Sequence, residues 1–321
     1  MSKRAFIIGV SGQDGSYLSK FLLEKGYEVC GSSRDAQGSS FLNLKKLGIN
    51  TEVQLFSVFP EDFRSVFVAI NKSRPDEIYY LAGQSSVGLS FEQPAETIQS
   101  SVLGTLNILE VCRLLDYQPK LYHAGSSECF GDVNGMAATE STIFHPKSPY
   151  AVAKASAYWL VDNYRDAYSI FACTGILFNH ESPLRPARFV TRKIISAATR
   201  IAHGTGEKLR LGRLDIARDW GWAPDYVEAM WLMLQQNRPE DFVVATGETN
   251  SLKSFVQEAF SVHGLNWEDH VIEDKSLYRP SEILISRADP SKAEKTLRWK
   301  AKVKMREVVK LMTAQEMLQP V

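Results

Sequence analysis

From residue 5 onward, short apolar runs alternate with amphipathic stretches. The apolar runs at residues 5–9, 28–32, 53–56, 77–81, 120–125 and 171–177 have the length of strands. Between them, residues 15–25, 61–71, 97–115 and 149–167 carry apolar side chains at helical spacing, with polar ones opposite. This alternation predicts βαβ units, and so an α/β fold with a doubly wound parallel sheet covered by helices on both faces. No repeat or long linker marks off a second domain. After Phe178 the order loosens into loops and short elements, with helices predicted over 252–260 and 304–314. A smaller C-terminal α/β lobe over the sheet's edge is therefore expected. The sheet domain should cover residues 1–178 with parts of 205–245, and the discontinuous lobe the rest of 179–321.

Composition adds little to this pattern but removes several functions. Lys plus Arg and Asp plus Glu number 37 each, so no net field favours nucleic acid or an anionic membrane. Any anion must be gripped locally. The apolar run at the N-terminus is too short to span a membrane and lacks a signal-cleavage pattern. Cys30, Cys112, Cys129 and Cys173 lie far apart, with no Cys-x-x-Cys spacing for a metal or redox centre. They read as buried thiols of a cytoplasmic protein.

Gly9-Val10-Ser11-Gly12-Gln13-Asp14-Gly15 follows the first predicted strand and opens the first helix. Glycines there let the backbone turn tightly and approach a pyrophosphate at the helix N-terminus. Strand, turn and helix occur in the order a dinucleotide site requires. At the end of the second strand, Ser33 and Arg34 occupy the place where such folds choose their cofactor. Arg offers a fork of donors suited to a 2′-phosphate, which favours NADP. Asp35 keeps NAD open, and a surface ion pair is the other role open to Arg34.

Ser148-Pro149-Tyr150 through Lys154 places a phenol and an ammonium four residues apart on one helix face. Lys154 is expected to lower the Tyr150 pKa and make it a usable base. Gly125-Ser126-Ser127-Glu128 ends the fifth strand at the carboxyl edge of the sheet, where ligands of such folds bind. Ser126 can bond a substrate hydroxyl, and a partly desolvated Glu128 can exchange protons with carbon. Caps and solvated loop acids are the alternatives for these residues.

Together with Asn179-His180-Glu181-Ser182-Pro183, Phe189-Val190-Thr191-Arg192-Lys193 and Arg218-Asp219-Trp220-Gly221, these blocks resemble the GDP-mannose 4,6-dehydratase family over nearly the whole chain. The resemblance implies a lyase in which NADP is reduced and reoxidised within each turnover. Tyr150, assisted by Lys154 and Ser126, would take the carbon-4 hydroxyl proton while hydride leaves carbon 4. Glu128 would take the carbon-5 proton and help carbon-6 hydroxyl leave as water. The cofactor would lie against Gly9, Ser11, Gly12, Gln13, Asp14, Gly15, Ser33, Arg34, Leu81, Tyr150 and Lys154. The GDP-sugar would meet Gln84, Ser85, Ser86, Asn179, Arg185, Val190, Lys193, Arg218, Arg279 and Glu282. By analogy a homodimer forms through the helix bearing Tyr150 and the helix over 97–115, with a tetramer as the further possibility.

Three departures stand out. Pro186 and Arg188 replace the glycine and the acid usual in the family, which keeps a GDP-manno-heptose open as substrate. The segment over 35–44 is shorter and less basic than the loop that joins subunits in tetrameric relatives. Phe56-Ser57-Val58-Phe59-Pro60 lacks the family's acid beside adenine, so no adenine contact is assigned there. An epimerase, a keto-sugar reductase and a non-catalytic NADP sensor are the competing readings. Glu128 argues against the first two, and the Tyr150/Lys154 pair against the third.

Overall fold

The computed structural model describes residues 2–318. Its first half runs β1 (Arg4–Ile8), α1 (Gln13–Glu24), β2 (Glu28–Ser33), α2 (Leu42–Lys46), β3 (Gln54–Ser57), α3 (Phe63–Ser73) and β4 (Glu77–Tyr80). There follow α4 (Val87–Glu92), α5 (Pro94–Ile98), a π-helical turn (Gln99–Leu103), α6 (Gly104–Leu114), β5 (Lys120–Ala124), α7 (Pro149–Tyr168) and β6 (Ala172–Leu177). The remainder comprises β7 (Asn179–Glu181), α8 (Val190–Ala202), β8 (Leu209–Leu211), β9 (Ala217–Trp222), α9 (Ala223–Leu234) and β10 (Phe242–Val244). It closes with β11 (Thr249–Ser251), α10 (Leu252–Ser261), β12 (Val271–Glu273), α11 (Ser291–Leu297) and α12 (Met305–Met317).

Seven strands form one parallel sheet in the order β3-β2-β1-β4-β5-β6-β10. The chain reverses direction across the sheet between β1 and β4, which opens a crevice at their carboxyl ends. Alternation along β1 sends Ala5 and Ile7 to one core and Phe6 and Ile8 to the other. On the first face Leu18 and Leu22 of α1 pack with Met230 and Met233 of α9. On the second, Val66 and Ile70 of α3, Ile108 and Val111 of α6 and Val161 of α7 close the layer. A separate core lies where α8, α10 and α12 surround Trp220, with Phe255, Val308 and Met312 fully or nearly buried. Here β7, β9 and β11 make a small sheet, and β8 pairs with β12.

The α/β class and the parallel sheet agree with the sequence pattern, and the six expected strands lie within one residue of those observed. Among the elements that differ, α1 also starting two residues early, three have an evident cause. Helix α3 starts two residues later than expected because Asp62 caps it, accepting from the Arg64 amide at 3.0 Å. The single helix expected over 97–115 is broken by the π turn. That wider turn lets the buried Tyr80 hydroxyl donate to the Ser100 carbonyl at 2.9 Å, with Gly104 against the phenol where a Cβ would clash. The seventh strand, β10, falls outside the expected set, since its three residues are too few to display a period.

Candidate active site

The turn after β1 is shaped for close approach. Gly9 has φ +96°, and the Gly12 amide donates back to the Gly9 carbonyl at 3.1 Å. Helix α1 sits so tightly on this turn that a Cβ on Gly15 would collide with the Gly9 carbonyl. No side chain caps the first amides of α1, and Gly12, Gln13, Asp14 and Gly15 line the main cleft. An uncapped helix start beside a glycine cradle fits a dinucleotide diphosphate. The cleft has a volume of about 560 Å3.

A second pocket of about 320 Å3 adjoins it, sharing Gly9, Gly12 and Leu81 and adding Ser11, Ser33, Arg34, Val58, Pro60 and Glu61. Ser33 Oγ lies 3.0 Å from Ser39 Oγ. Arg34 reaches Glu96 at 3.6 Å, with both side chains well exposed, so the surface ion pair considered above does form. The Asp35 carboxylate is turned into its own loop, accepting from the Gln37 and Gly38 amides at 2.9 and 2.8 Å. Glu61 escaped the sequence reading, because it stands one residue beyond the stretch compared with the family's acid.

The sheet-side wall gathers Ser126, Glu128, Tyr150 and Lys154. Ser126 caps a short 3-10 turn (Ser127–Phe130), its Oγ accepting from the Glu128 amide at 3.3 Å. Ser148 caps α7 in the same way, at 3.1 Å from the Ala151 amide, with Pro149 at the favoured first position. Tyr150 and Lys154 are both buried. One expectation is corrected here. Burial pushes the Tyr150 phenol well up, and the hydroxyl of Ser126 opposes this only in part. The Lys154 ammonium, which donates to the Ala124 carbonyl at 2.9 Å, does not offset that rise. Burial in turn brings Lys154 down to about 8. The Glu128 carboxyl is raised by burial, against the pull of Arg218 and Arg279.

The opposite wall comes from loops and the smaller lobe. Asn179 opens β7 and pairs with Trp220 of β9, while Val190 is the first residue of α8. Arg185 lies over the Phe189 ring at 3.9 Å, its Nε 3.2 Å from the Glu181 carboxylate. That carboxylate also accepts from Thr191 Oγ1 at 2.6 Å. Glu282 holds two cations, Arg218 at 3.0 Å and Arg279 at 3.4 Å. Arg185, Arg218 and Arg279 are thus all ion-paired with acids of the protein. Lys193 donates to the Arg210 carbonyl at 2.7 Å. Ser85 and Ser86 border the cleft. The Gln84 amide folds back onto the Ser86 carbonyl and Thr97 Oγ1 at 2.8 and 3.2 Å. Pro186 and Arg188 stand exposed on the rim.

One further group was quoted from the sequence only as part of a motif. His180 Nε2 lies 2.9 Å from the Asp14 carboxylate, and the Ser182 hydroxyl donates to Gln13 Oε1 at 2.8 Å. An acid in the first turn of a diphosphate-binding helix was the available signal.

A nucleotide cradle, a buried Tyr/Lys pair and an arginine-rich far wall at the switch point of a parallel sheet define an extended short-chain dehydrogenase/reductase. The same fold is found in the UDP-glucose 4-epimerase of Thermus thermophilus solved with NAD, at TM-score 0.86 and 26% identity, covering 98% of each chain. A dTDP-glucose 4,6-dehydratase from Bacillus anthracis shares the fold at TM-score 0.84 and 18% identity, covering 98% of this chain and 96% of that one. Within that class the chain belongs to the GDP-mannose 4,6-dehydratase family, whose sequence profile matches residues 6–312. GDP-mannose 4,6 dehydratase 1 of Arabidopsis thaliana is 45% identical over 325 residues, spanning 98% of this chain and 90% of that protein. The Homo sapiens GDP-mannose 4,6 dehydratase is 42% identical, over 96% of this chain and 90% of that one.

Proposed function

We propose that this protein converts GDP-mannose to its 4-keto-6-deoxy form, using NADP. The observation that carries the reading is the Glu128 carboxyl, raised by burial and facing the same cleft as Ser126 and Tyr150. A proton-avid carboxyl in that place suits removal of a carbon-bound proton and its return to a leaving hydroxyl. Epimerases and reductases have no need of it.

Bound NADP supplies the chemistry of accepting and returning a hydride, and its oxidised ring carries positive charge that favours a phenolate nearby. Gly9, Gly12 and Gly15, with the backbone amides of Gln13 and Asp14, would hold its diphosphate, with Leu81, Tyr150 and Lys154 further along. Ser11, Ser33 and Arg34 would hold the 2′-phosphate, and the inward turn of Asp35 removes the acid that an NAD ribose would want. Val58, Pro60 and Glu61 supply the adenine end. Tyr150, with the Ser126 hydroxyl beside it, removes the carbon-4 hydroxyl proton. Lys154 steadies the phenolate that accepts this proton. Glu128 takes the carbon-5 proton and hands it to the carbon-6 hydroxyl as water departs. On the far wall, Arg185, Arg218 and Arg279 would grip the diphosphate bidentately. Glu282, released from its arginines, would turn to the guanosine. Asn179, Val190, Lys193, Ser85 and Ser86 would border the sugar nucleotide.

A homodimer is supported by Val152 and Trp159, exposed two turns apart on α7, and by Leu103 and Leu114, exposed three turns apart across the π turn and α6. Four buried free thiols suit the reducing cytoplasm, and among the described residues no helix is long and apolar enough to cross a membrane.

The test is mass spectrometry of the purified protein with GDP-mannose and, separately, GDP-D-glycero-D-manno-heptose, with and without NADP. Loss of one water from GDP-mannose is expected. Loss from the heptose alone would transfer the reading to that sugar, and loss from neither would overturn it.

A further inference from the structure

An acid in the first turn of α1 is an awkward neighbour for a diphosphate. Asp14 is the second residue of that helix and lines the cleft. The helix start attracts an anion, but a free carboxylate there would take the place of the ligand or repel it. Both Asp14 oxygens are engaged. Oδ1 accepts from Gln13 Nε2 at 3.0 Å, and Oδ2 faces His180 Nε2 at 2.9 Å. His180 is itself held from three sides: Nδ1 lies 2.8 Å from the Phe178 carbonyl, the ring stacks on Tyr226 of α9 at 4.6 Å, and β7 fixes its backbone. With the carbonyl bonded at Nδ1 and the carboxylate at Nε2, both ring nitrogens face acceptors. Only the protonated imidazolium has a hydrogen for each.

Resting on the reading of this cleft as a dinucleotide site, we infer that His180 is a positioning residue: its positive charge cancels that of Asp14, keeping the first turn of α1 open to the cofactor's diphosphate. The other charged groups facing the pair are Arg185, which adds to the positive side, and Glu181, which is taken up by Arg185 and Thr191. Tyr226 presents a ring face, and its hydroxyl has no partner among the described residues. The two directions agree with the geometry. Burial works against both shifts, yet Asp14 is drawn down and His180 up, each by the other's charge and hydrogen bond.

Charge cancellation and mere structural strapping predict different outcomes for two substitutions. The dissociation constant of NADPH, read from its fluorescence, is measured for the wild-type protein and the variants Asp14→Asn, His180→Asn and the double variant. The asparagine at 14 keeps an oxygen for His180 but loses the charge, so Asp14→Asn is expected to bind NADPH as tightly as wild type or more tightly. His180→Asn exposes the carboxylate and is expected to weaken binding by about tenfold or more, a scale typical of an uncompensated charge beside an ionic contact. In the double variant the affinity should return to within about threefold of wild type. A double variant as weak as His180→Asn would overturn the inference. So would an Asp14→Asn protein that folds and binds more than about threefold more weakly than wild type, which decides the matter even if His180→Asn fails to fold. Failure of the wild-type protein to bind any nicotinamide dinucleotide would instead defeat the reading of the cleft.

Discussion

The two walls of the cleft are built differently. On the sheet side, Ser126, Glu128, Tyr150 and Lys154 hang from the end of β5 and the capped start of α7. Their backbones are fixed by strand pairing and helix bonds, and burial moves their proton affinities before any ligand arrives. On the far side, Arg185, Arg218 and Arg279 come from β9 and connecting loops, and acids of the protein already occupy them. One wall is ready for proton transfer. The other must exchange internal partners for substrate ones. Substitutions on the sheet side should therefore act on turnover, and those on the far side on affinity.

The largest effect is expected at Tyr150. Tyr150→Phe should lower turnover by about a thousandfold, within the range of a positioned acid or base, and should abolish the transient absorbance of reduced nicotinamide on mixing with GDP-mannose in a stopped-flow instrument. Glu128→Gln should lose about a hundredfold in turnover while keeping that transient and its affinities for NADP and GDP-sugar. Near-normal turnover would remove Glu128 from the mechanism.

The pH profile should follow the same wall. A carboxyl raised by burial is protonated at higher pH than an ordinary one, so the acid limb set by Glu128 should lie above the usual carboxylate range and vanish in the residual activity of Glu128→Gln. Lys154, brought down to about 8, should set an alkaline limb near that pH. Across the cleft, Arg279→Ala should raise KM and the Kd of GDP by about tenfold, with kcat changed by less than about threefold. A fall in kcat as large as the rise in KM would erase the contrast between the walls. The smallest effect belongs to the rim. Pro186→Gly with Arg188→Glu, which restores the residue types usual in the family, should shift the ratio of kcat/KM for GDP-mannose over the heptose by only a few-fold.

Periodicity exposed the sheet because strands buried on both faces are short apolar runs, and it exposed α1 and α7 because each carries a terminus signal: glycines before α1, Ser-Pro before α7. The break in the helix over 97–115 left no mark, since a π turn adds one residue without removing any apolar ones. The positions of Tyr150 and Lys154 followed from their spacing, but the direction of the phenol's shift did not. Desolvation, its main cause, depends on depth, which a one-dimensional pattern does not carry. The pairing of Asp14 with His180 was invisible for a like reason, since 166 residues separate them. Gln84 illustrates the reverse case, a residue at the right strand end whose side chain is claimed by its own neighbours.

Cys129 sits inside the short turn over Ser127–Phe130, directly after Glu128, 1% exposed, with its thiol pushed up to about 12 by burial. A thiol so protonated and so hidden is inert toward alkylating reagents while the turn is closed. Its rate of modification by iodoacetamide, read at this residue by mass spectrometry, therefore reports how often the turn opens. Ligands that secure the turn should slow that clock, and the slowing would rank them by how firmly they hold the site shut.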